Sequence, residues 1–476
     1  MHVIVIGGGI AGLSAAHHLL TGGASVTLLE GSDRLGGKLL VGDLAGSLRV
    51  DLGAEAMLAR RPEGIELARA AGLGDALTSP TTARAALWTR GALRPMPTGH
   101  LMGVPADPAA LGGVLSPDGL ARVAEEEDLP RTDVGEDVAV GTYVAARVGR
   151  EVVDRMVEPL LGGVYAGDPY RLSMRAAVPP LYEIARSERS LLAGVRAFRE
   201  RTATTGGATA PVFAGIEGGV GRLPAAVAAA CRAAGGRIRT RSPVTSLRRL
   251  HGGPRDAPSG GDLWEVAVGG GEALRADAVV VAAPAPSAAR LLRTEAPAAA
   301  AELDTVAYAS MALVTMAFRR TDLGNLPTGS GFLVPPVDGR QIKAATFSAN
   351  KWAWTARQQD DLFVLRTSFG RYGEEDALHR EDAELVAAAR ADLAEAVGLA
   401  APPVDSLVTR WESGLPQYPV GHLARVARLR RDLEELPGVT VCGAAYGGVG
   451  IPACVADGRR AAEYTLRTGG AAGEGE

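Results

Sequence analysis

The chain opens on a short apolar run over residues 3–6, β-branched at every position, which reads as a buried strand. Three glycines follow, then helix formers over 13–20, a Gly22-Gly23 stop, and a second apolar run over 24–30 that ends in Glu30. The same kind of pattern returns later. Residues 236–247 read as strand, turn and strand around Ser242-Pro243-Val244. Residues 264–268 and 274–283 read as strands on either side of Gly269-Gly270-Gly271, the second stopped by Pro284. Residues 439–443 form one more strand, which enters a glycine-rich turn and then a helix over about 453–466. Between these returns, 91–210 is mostly helical in pattern, most clearly over 139–161. Residues 291–404 hold strand-like runs at 309–318, 341–348 and 362–368, with a helical run over 372–398. The predicted organisation is a discontinuous nucleotide-binding unit (1–90, 211–290 and 405–466), a helical lobe (91–210), a substrate-binding unit (291–404) and a disordered tail (467–476). Residues 252–261 read as a Pro/Gly-rich surface loop and 202–210 as a mobile polar stretch. No internal repeat is visible.

The first strand leads directly into Gly7-Gly8-Gly9-Ile10-Ala11-Gly12, a match to GxGxxG, and Glu30 closes the next strand near the offset expected of a ribose-binding acid. Strand, glycine loop, helix and acid in that register form the start of a dinucleotide-binding βαβ unit. Gly7 permits the turn out of the strand, Gly9 lets backbone approach a pyrophosphate, and Gly12 lets helix and strand pack closely. The helix N-terminus offers free N–H groups to phosphates. Glu30 is the expected acceptor for ribose hydroxyls. No second GxGxxG stands behind a strand, which argues against a nicotinamide site. Electrons are then expected to enter from an organic substrate and leave to oxygen or another acceptor.

Composition changes this picture little. Of 476 residues, 62 are glycine, about 13% against roughly 7% on average. Gly-X-Y periodicity is absent, so the excess is not collagen-like. The net charge of −4 excludes a general nucleic-acid binder. Lys38, Lys343 and Lys351 are the only lysines among 50 basic residues, a bias that fits GC-rich coding. Cys231, Cys442 and Cys454 lack CxxC spacing, so neither a disulfide framework nor a metal site is expected, and a reducing compartment fits. The apolar runs fall far short of the roughly 20 residues that span a bilayer. A cytoplasmic location is expected, with peripheral membrane contact left open.

After Glu30 come Gly31, Arg34 and Gly36-Gly37-Lys38, an R-x-G-G that resembles the second fingerprint of the amine-oxidase-type FAD superfamily. Three further stretches narrow the resemblance: Glu158-Pro159-Leu160-Leu161-Gly162-Gly163-Val164-Tyr165-Ala166-Gly167-Asp168-Pro169; Arg410-Trp411 with Pro416-Gln417-Tyr418 and Gly421-His422; and Tyr446-Gly447-Gly448-Val449-Gly450-Ile451-Pro452. Together, over nearly the whole chain, they resemble the flavoprotein protoporphyrinogen and coproporphyrinogen oxidases of haem biosynthesis. The resemblance implies an α/β fold, with a Rossmann-like FAD-binding domain, an antiparallel-sheet substrate domain and a helical lobe. It implies FAD as cofactor, a porphyrinogen as substrate, and removal of six electrons in three two-electron steps, with oxygen reduced to hydrogen peroxide. No catalytic residue is firmly expected, because the flavin carries the chemistry.

The cofactor residues carried over by the resemblance are Gly7, Gly8, Gly9, Ile10, Ala11, Gly12, Glu30, Gly31, Arg34, Gly36, Gly37 and Lys38 around the ADP half. Gly53, Ala54, Glu55 and Ala56 are expected along the isoalloxazine, Val244 at the adenine, and Trp411, Gly443, Val449, Gly450 and Ile451 closing around the flavin. Ala54 stands where the family often has proline. The substrate's propionates make Arg60, Arg61 and Lys343 candidate partners, with Arg366 and Arg371 behind them. His17, His18 and Cys442 read as packing residues, and Asp168 as a turn cap before Pro169. Coproporphyrinogen III is the first substrate choice and protoporphyrinogen IX the alternative. A flavin amine oxidase is a more remote reading, disfavoured by an aromatic content of only 4%. A carotenoid desaturase and a non-catalytic FAD protein follow. Whether the protein makes transient contact with a ferrochelatase stays open.

Overall fold

The computed structural model describes residues 1–205, 211–250 and 263–470. The loop expected over 252–261, residues 206–210 of the polar stretch and residues 471–476 of the tail lie outside the described residues.

The nucleotide layer is a five-stranded sheet in the order Arg237–Arg239, Ser25–Leu29, His2–Ile6, Ala278–Val281, Val439–Val441. All its pairs are parallel, with Val3 beside both Val26 and Ala278. Side chains alternate across the pleat, so Val3 and Val5 enter one core and Ile4 and Ile6 the other. Covering both faces is what an all-parallel sheet requires. The first face is covered by helices Ile10–Thr21, Leu223–Ala233 and Ile451–Gly470, and the second by Ala285–Leu292, Pro297–Asp304 and His422–Glu434.

The second layer is a seven-stranded sheet in the order Asp405–Pro416, Tyr308–Arg319, Leu362–Phe369, Ala344–Thr346, Gly331–Leu333, Ala85–Thr89, Ala92–Pro95. Its pairs are antiparallel except Gly331–Leu333 with Ala85–Thr89. Helix Asp382–Val397 covers it through Leu385, Ala388, Ala389 and Leu393. A helical lobe with its own core lies between residues 104 and 195. It is pinned inside by Arg147 and Glu126, both almost fully buried. Arg147 Nε donates to Glu126 Oε1 at 2.7 Å, and Ser190 Oγ and Leu191 N donate to the same carboxylate, each at 2.7 Å.

Several boundaries differ from those expected. The hairpin 85–95 and the strand Asp405–Pro416 belong to the second sheet, because backbone pairing and not composition decides which sheet a strand joins. Helix Pro297–Asp304 belongs to the nucleotide layer, where Ala299, Ala300 and Leu303 pack in one core with Val279 and Val281. The helix expected over 139–161 is broken at Gly149, whose φ of +93° no helix accepts, and resumes through a π-turn at Val153–Val157. The strand expected over 341–348 is only Ala344–Thr346, followed by helix Ser348–Lys351. The last helix runs to Gly470, so residues 467–470 are helical and not part of a tail. Among the described residues no helix is long and apolar enough to cross a membrane.

Candidate functional site

The carboxyl ends of strands His2–Ile6, Ala278–Val281 and Val439–Val441 meet in one place, where open parallel sheets bind their ligands. Gly7 leaves the first strand at φ +111°, and a Cβ there would lie 2.6 Å from the Ala282 carbonyl oxygen. A Cβ on Gly12 would lie 2.0 Å from the Gly7 carbonyl oxygen. Both positions therefore demand glycine for the close packing of loop, strand and helix. Gly9, just before helix Ile10–Thr21, faces open space: a Cβ there would meet no protein atom within 4 Å.

Glu30 organises this loop. Its Oε2 accepts the Gly8 N–H at 2.7 Å and its Oε1 the Ser32 N–H at 2.8 Å. A carboxylate has about four lone-pair sites, so both oxygens can accept more. Gly36 N donates to Gly8 O, and Gly36 bridges Gly9, which lays the second fingerprint against the first. Arg34 closes that turn by donating to Gly37 O at 2.8 Å, with its guanidinium over the Trp411 ring at 5.7 Å. Ser242 N donates to Glu30 O, and Gly31 packs on Pro243, which brings the backbone before Val244 beside the acid.

The loop from Gly53 to Ala56 is held from both sides. Trp411 Nε1 donates to Leu52 O at 3.0 Å, and Arg366 Nη1 donates to Gly53 O at 2.7 Å. A Cβ on Gly53 would lie 2.1 Å from the Lys38 carbonyl oxygen, so the two candidate loops touch. The Glu55 side chain points away into the protein. It pairs with Arg366 Nε at 2.8 Å and Lys351 Nζ at 3.0 Å, and accepts from Trp352 Nε1 at 2.7 Å. Burial alone would raise the Glu55 carboxyl; Arg366 and Lys351 outweigh it and hold it down at about 2. Sequence reasoning put Glu55 along the flavin. Its carboxylate instead ties that loop to strand Leu362–Phe369, so any ligand contact at 53–56 must come from the backbone or the alanines.

The third piece is the turn from Gly443 to Gly450. Gly443 and Gly450 have φ of +135° and +99°, and a Cβ on either would face open space. Gly443 N donates to Asp457 Oδ2 at 2.9 Å, and Asp457 also pairs with Arg430 and Arg460. The Tyr418 hydroxyl donates to Ala444 O. Val449 packs against the core of the helical lobe, while Ile451 is buried in the nucleotide layer. Asp457 escaped sequence reasoning. The signal was present: it is the one acid in 451–462, inside an otherwise apolar helix start.

Gly9, Gly443 and Gly450 thus leave a cradle that no protein side chain fills, beside a helix N-terminus. These residues fit a dinucleotide whose phosphates meet Gly9 and whose ring system reaches the second turn. Lys38 is exposed next to this cradle.

The propionate candidates separate. Arg60 is exposed and has no partner among the described residues. Arg61 is paired with Glu63 at 2.6 Å. Lys343 is only 5% exposed, donates to Gly370 O at 3.0 Å, and is pushed down to about 7 by burial and by Arg371. Arg371 is paired with Glu158 at 2.8 Å, and Arg366 with Glu55. Lys343, expected as a propionate partner, is a buried group, because the sheet and helical lobe close over it. Asp168 accepts the Tyr170 N–H at 2.8 Å, as its turn-cap reading expects. Cys442 is fully buried in the core.

A parallel sheet with these glycine turns at its carboxyl edge is the arrangement of a dinucleotide-binding fold. Residues 10–466 match the flavin containing amine oxidoreductase family. The chain is 37% identical over 461 residues to coproporphyrinogen III oxidase of Mycobacterium tuberculosis, covering 96% of this chain and 95% of that protein. It is 28% identical over 506 residues to protoporphyrinogen oxidase of Bos taurus, covering 98% of both. A solved structure from Exiguobacterium sp. superposes with a TM-score of 0.84 at 30% identity, covering 98% of both chains. The chain belongs to the flavin containing amine oxidoreductases and, within them, to the porphyrinogen oxidases of haem biosynthesis.

Proposed function

We propose that the protein binds FAD and oxidises coproporphyrinogen III to coproporphyrin III in the cytoplasm. The balance is three oxygen molecules reduced to three of hydrogen peroxide for the six electrons and six protons the macrocycle loses. The observation that carries the reading is the 37% identity, over 96% of the chain, to a protein named coproporphyrinogen III oxidase. The open glycine cradle supports a dinucleotide flavin over a mononucleotide, since it extends from a phosphate-type helix N-terminus at Gly9 to a second turn at Gly443–Gly450.

When bound, the flavin supplies hydride-accepting redox chemistry. The chain supplies placement. Gly7 to Gly12 and the helix start receive the pyrophosphate, Glu30 keeps lone pairs for ribose hydroxyls, and Lys38 offers positive charge. Gly31, Arg34, Gly36 and Gly37 shape the loop, Val244 offers its backbone to adenine, and Gly53 to Ala56, Trp411 and Val449 to Ile451 enclose the ring system. Arg60, the unpartnered cation of the three candidates, meets a substrate carboxylate.

The bovine relative's name keeps protoporphyrinogen IX as the second reading. The test is an aerobic assay of the purified yellow protein with each porphyrinogen, following porphyrin fluorescence and peroxide. The expected result is a markedly higher kcat/KM for coproporphyrinogen III, with three peroxides per porphyrin. Faster turnover of protoporphyrinogen IX would reverse the substrate assignment. No fluorescence above the autoxidation control with either substrate would overturn the reading.

A further inference from the structure

Helix Glu158–Tyr165 of the helical lobe ends in a left-handed residue, Ala166, at φ +48°. Ends of this kind leave backbone carbonyls without helical partners. The Tyr165 carbonyl finds its partner in another layer: Gln417 Nε2 donates to it at 2.8 Å and also to Leu415 O at 3.1 Å. Gln417 is only 6% exposed, and its own N–H donates to Ala307 O at 2.8 Å. There is no slack around it, since a Cβ on Gly167 would lie 2.4 Å from Gln417 Oε1. The next residues continue the seam. Ser173 N donates to Tyr418 O, Val420 N donates to Arg171 O, and Leu172 bridges Pro419. Tyr418 packs edge-on against Tyr165, ring centroids 5.6 Å apart, and donates its hydroxyl to Ala444 O at the start of the Gly443–Gly450 turn.

We infer that Gln417 is a positioning residue. Its amide fixes the Tyr165–Gly167 turn of the helical lobe, and through Tyr418 that turn is held at a set distance from the Gly443–Gly450 turn. This rests on the reading of the Gly443–Gly450 turn as the flavin edge. The helical lobe and the flavin-edge turn, far apart along the chain, then keep one spacing during turnover. Gly167 lacks a side chain because the Gln417 amide occupies that space. A spacing error of about 1 Å between reacting groups can cost on the order of 100-fold in rate.

The test uses full-length holoprotein. Gln417→Leu should retain flavin and lower kcat at least about tenfold, with KM changed less than threefold. Gln417→Glu has the same shape, but its carboxylate cannot donate to Tyr165 O, whereas the protonated acid can. Its kcat relative to the parent should therefore fall as pH rises from 6 to 9. A role in packing alone predicts a pH-independent ratio and would overturn the inference. Gly167→Ala should reproduce the kcat loss, and Gly167→Ala with Gln417→Ala should be no worse than Gln417→Ala alone. Multiplying losses would also overturn it. The same pair measured by thermal midpoint needs no substrate. If neither porphyrinogen is oxidised but the midpoints are non-additive, the function fails while the Gln417 link stands; additive midpoints refute the link itself.

Discussion

The two glycine turns that form the cradle are built in opposite ways. The turn at 7–12 takes its hydrogen bonds from within residues 8–36, where Glu30 bonds Gly8 and Ser32 and Gly36 bonds Gly8, while its glycines pack against Ala282. The turn at 443–450 has a local anchor in Asp457 on the following helix, and is also held from outside by the hydroxyl of Tyr418 and by packing of Val449 onto the helical lobe. The loop at 53–56 resembles the second case, since Glu55 is clamped by Arg366 and Lys351 from far along the chain. A turn hydrogen-bonded mainly within one βαβ unit depends less on the other layers for its shape. A remotely closed turn ties the ring end to the substrate layers, so their geometry moves together.

Three experiments strain this contrast. The largest effect is expected at Glu55. Glu55→Ala leaves Arg366 and Lys351 without their carboxylate in a buried site, and breaking such a cluster costs about 3–5 kcal/mol. Denaturant unfolding measures it; a loss below about 1 kcal/mol would mean the remote clamp is not what holds this loop. Gly12→Ala is the local counterpart. Its new methyl presses on the Gly7 carbonyl and on Ala282, an overpacking of roughly 1–3 kcal/mol. Flavin should dissociate more readily by about tenfold or more, while the unfolding midpoint of the apoprotein drops by less than that of Glu55→Ala. A midpoint drop as large as that of Glu55→Ala would erase the distinction.

The smallest effect is a slope. Burial raises the Asp51 carboxyl to about 7, against partial relief from the Gly221 and Val220 N–H groups, which donate to it at 2.9 and 3.1 Å. An acid whose folded pKa lies above its unfolded value of about 3.9 keeps a proton in the native state that the unfolded chain has released. Stability from this group therefore falls as pH rises from about 4 to about 7, by up to about 1.4 kcal/mol per pH unit, and is level above. Glu55 acts in the reverse sense: its depressed carboxyl contributes stability above its unfolded value of about 4.3 that is lost as pH falls towards about 2. Asp51→Asn should remove the decline between pH 4 and 7 and leave the acid-side loss in place. An unchanged slope in that window would place the titration elsewhere.

Much of the first half of the site was legible in the residues. Val3 to Ile6, the glycine loop and Glu30 occupy the places their pattern predicts. Elsewhere the pattern named residues without their partners. Glu55 was placed along the flavin by the family resemblance, yet its side chain turns into a buried ion cluster. Lys343 was read as a candidate propionate partner, yet it sits beneath the helical lobe beside Arg371 and Glu158. Residues 405–416 were given to the nucleotide unit, yet they form a strand that pairs with Tyr308–Arg319.

The division has a physical cause. Runs of β-branched residues, glycines that must turn or admit a close neighbour, and an acid one strand later act through backbone geometry within a single βαβ unit. The amino-acid sequence by itself therefore determined the glycine turn at 7–12, the layered α/β class and the family. Which carboxylate meets which guanidinium, which strand joins which sheet, and that Gln417 reaches Tyr165 depend on elements distant along the chain meeting in one core. Those pairings are chosen by packing and desolvation of the whole molecule, and only the tertiary structure decided them.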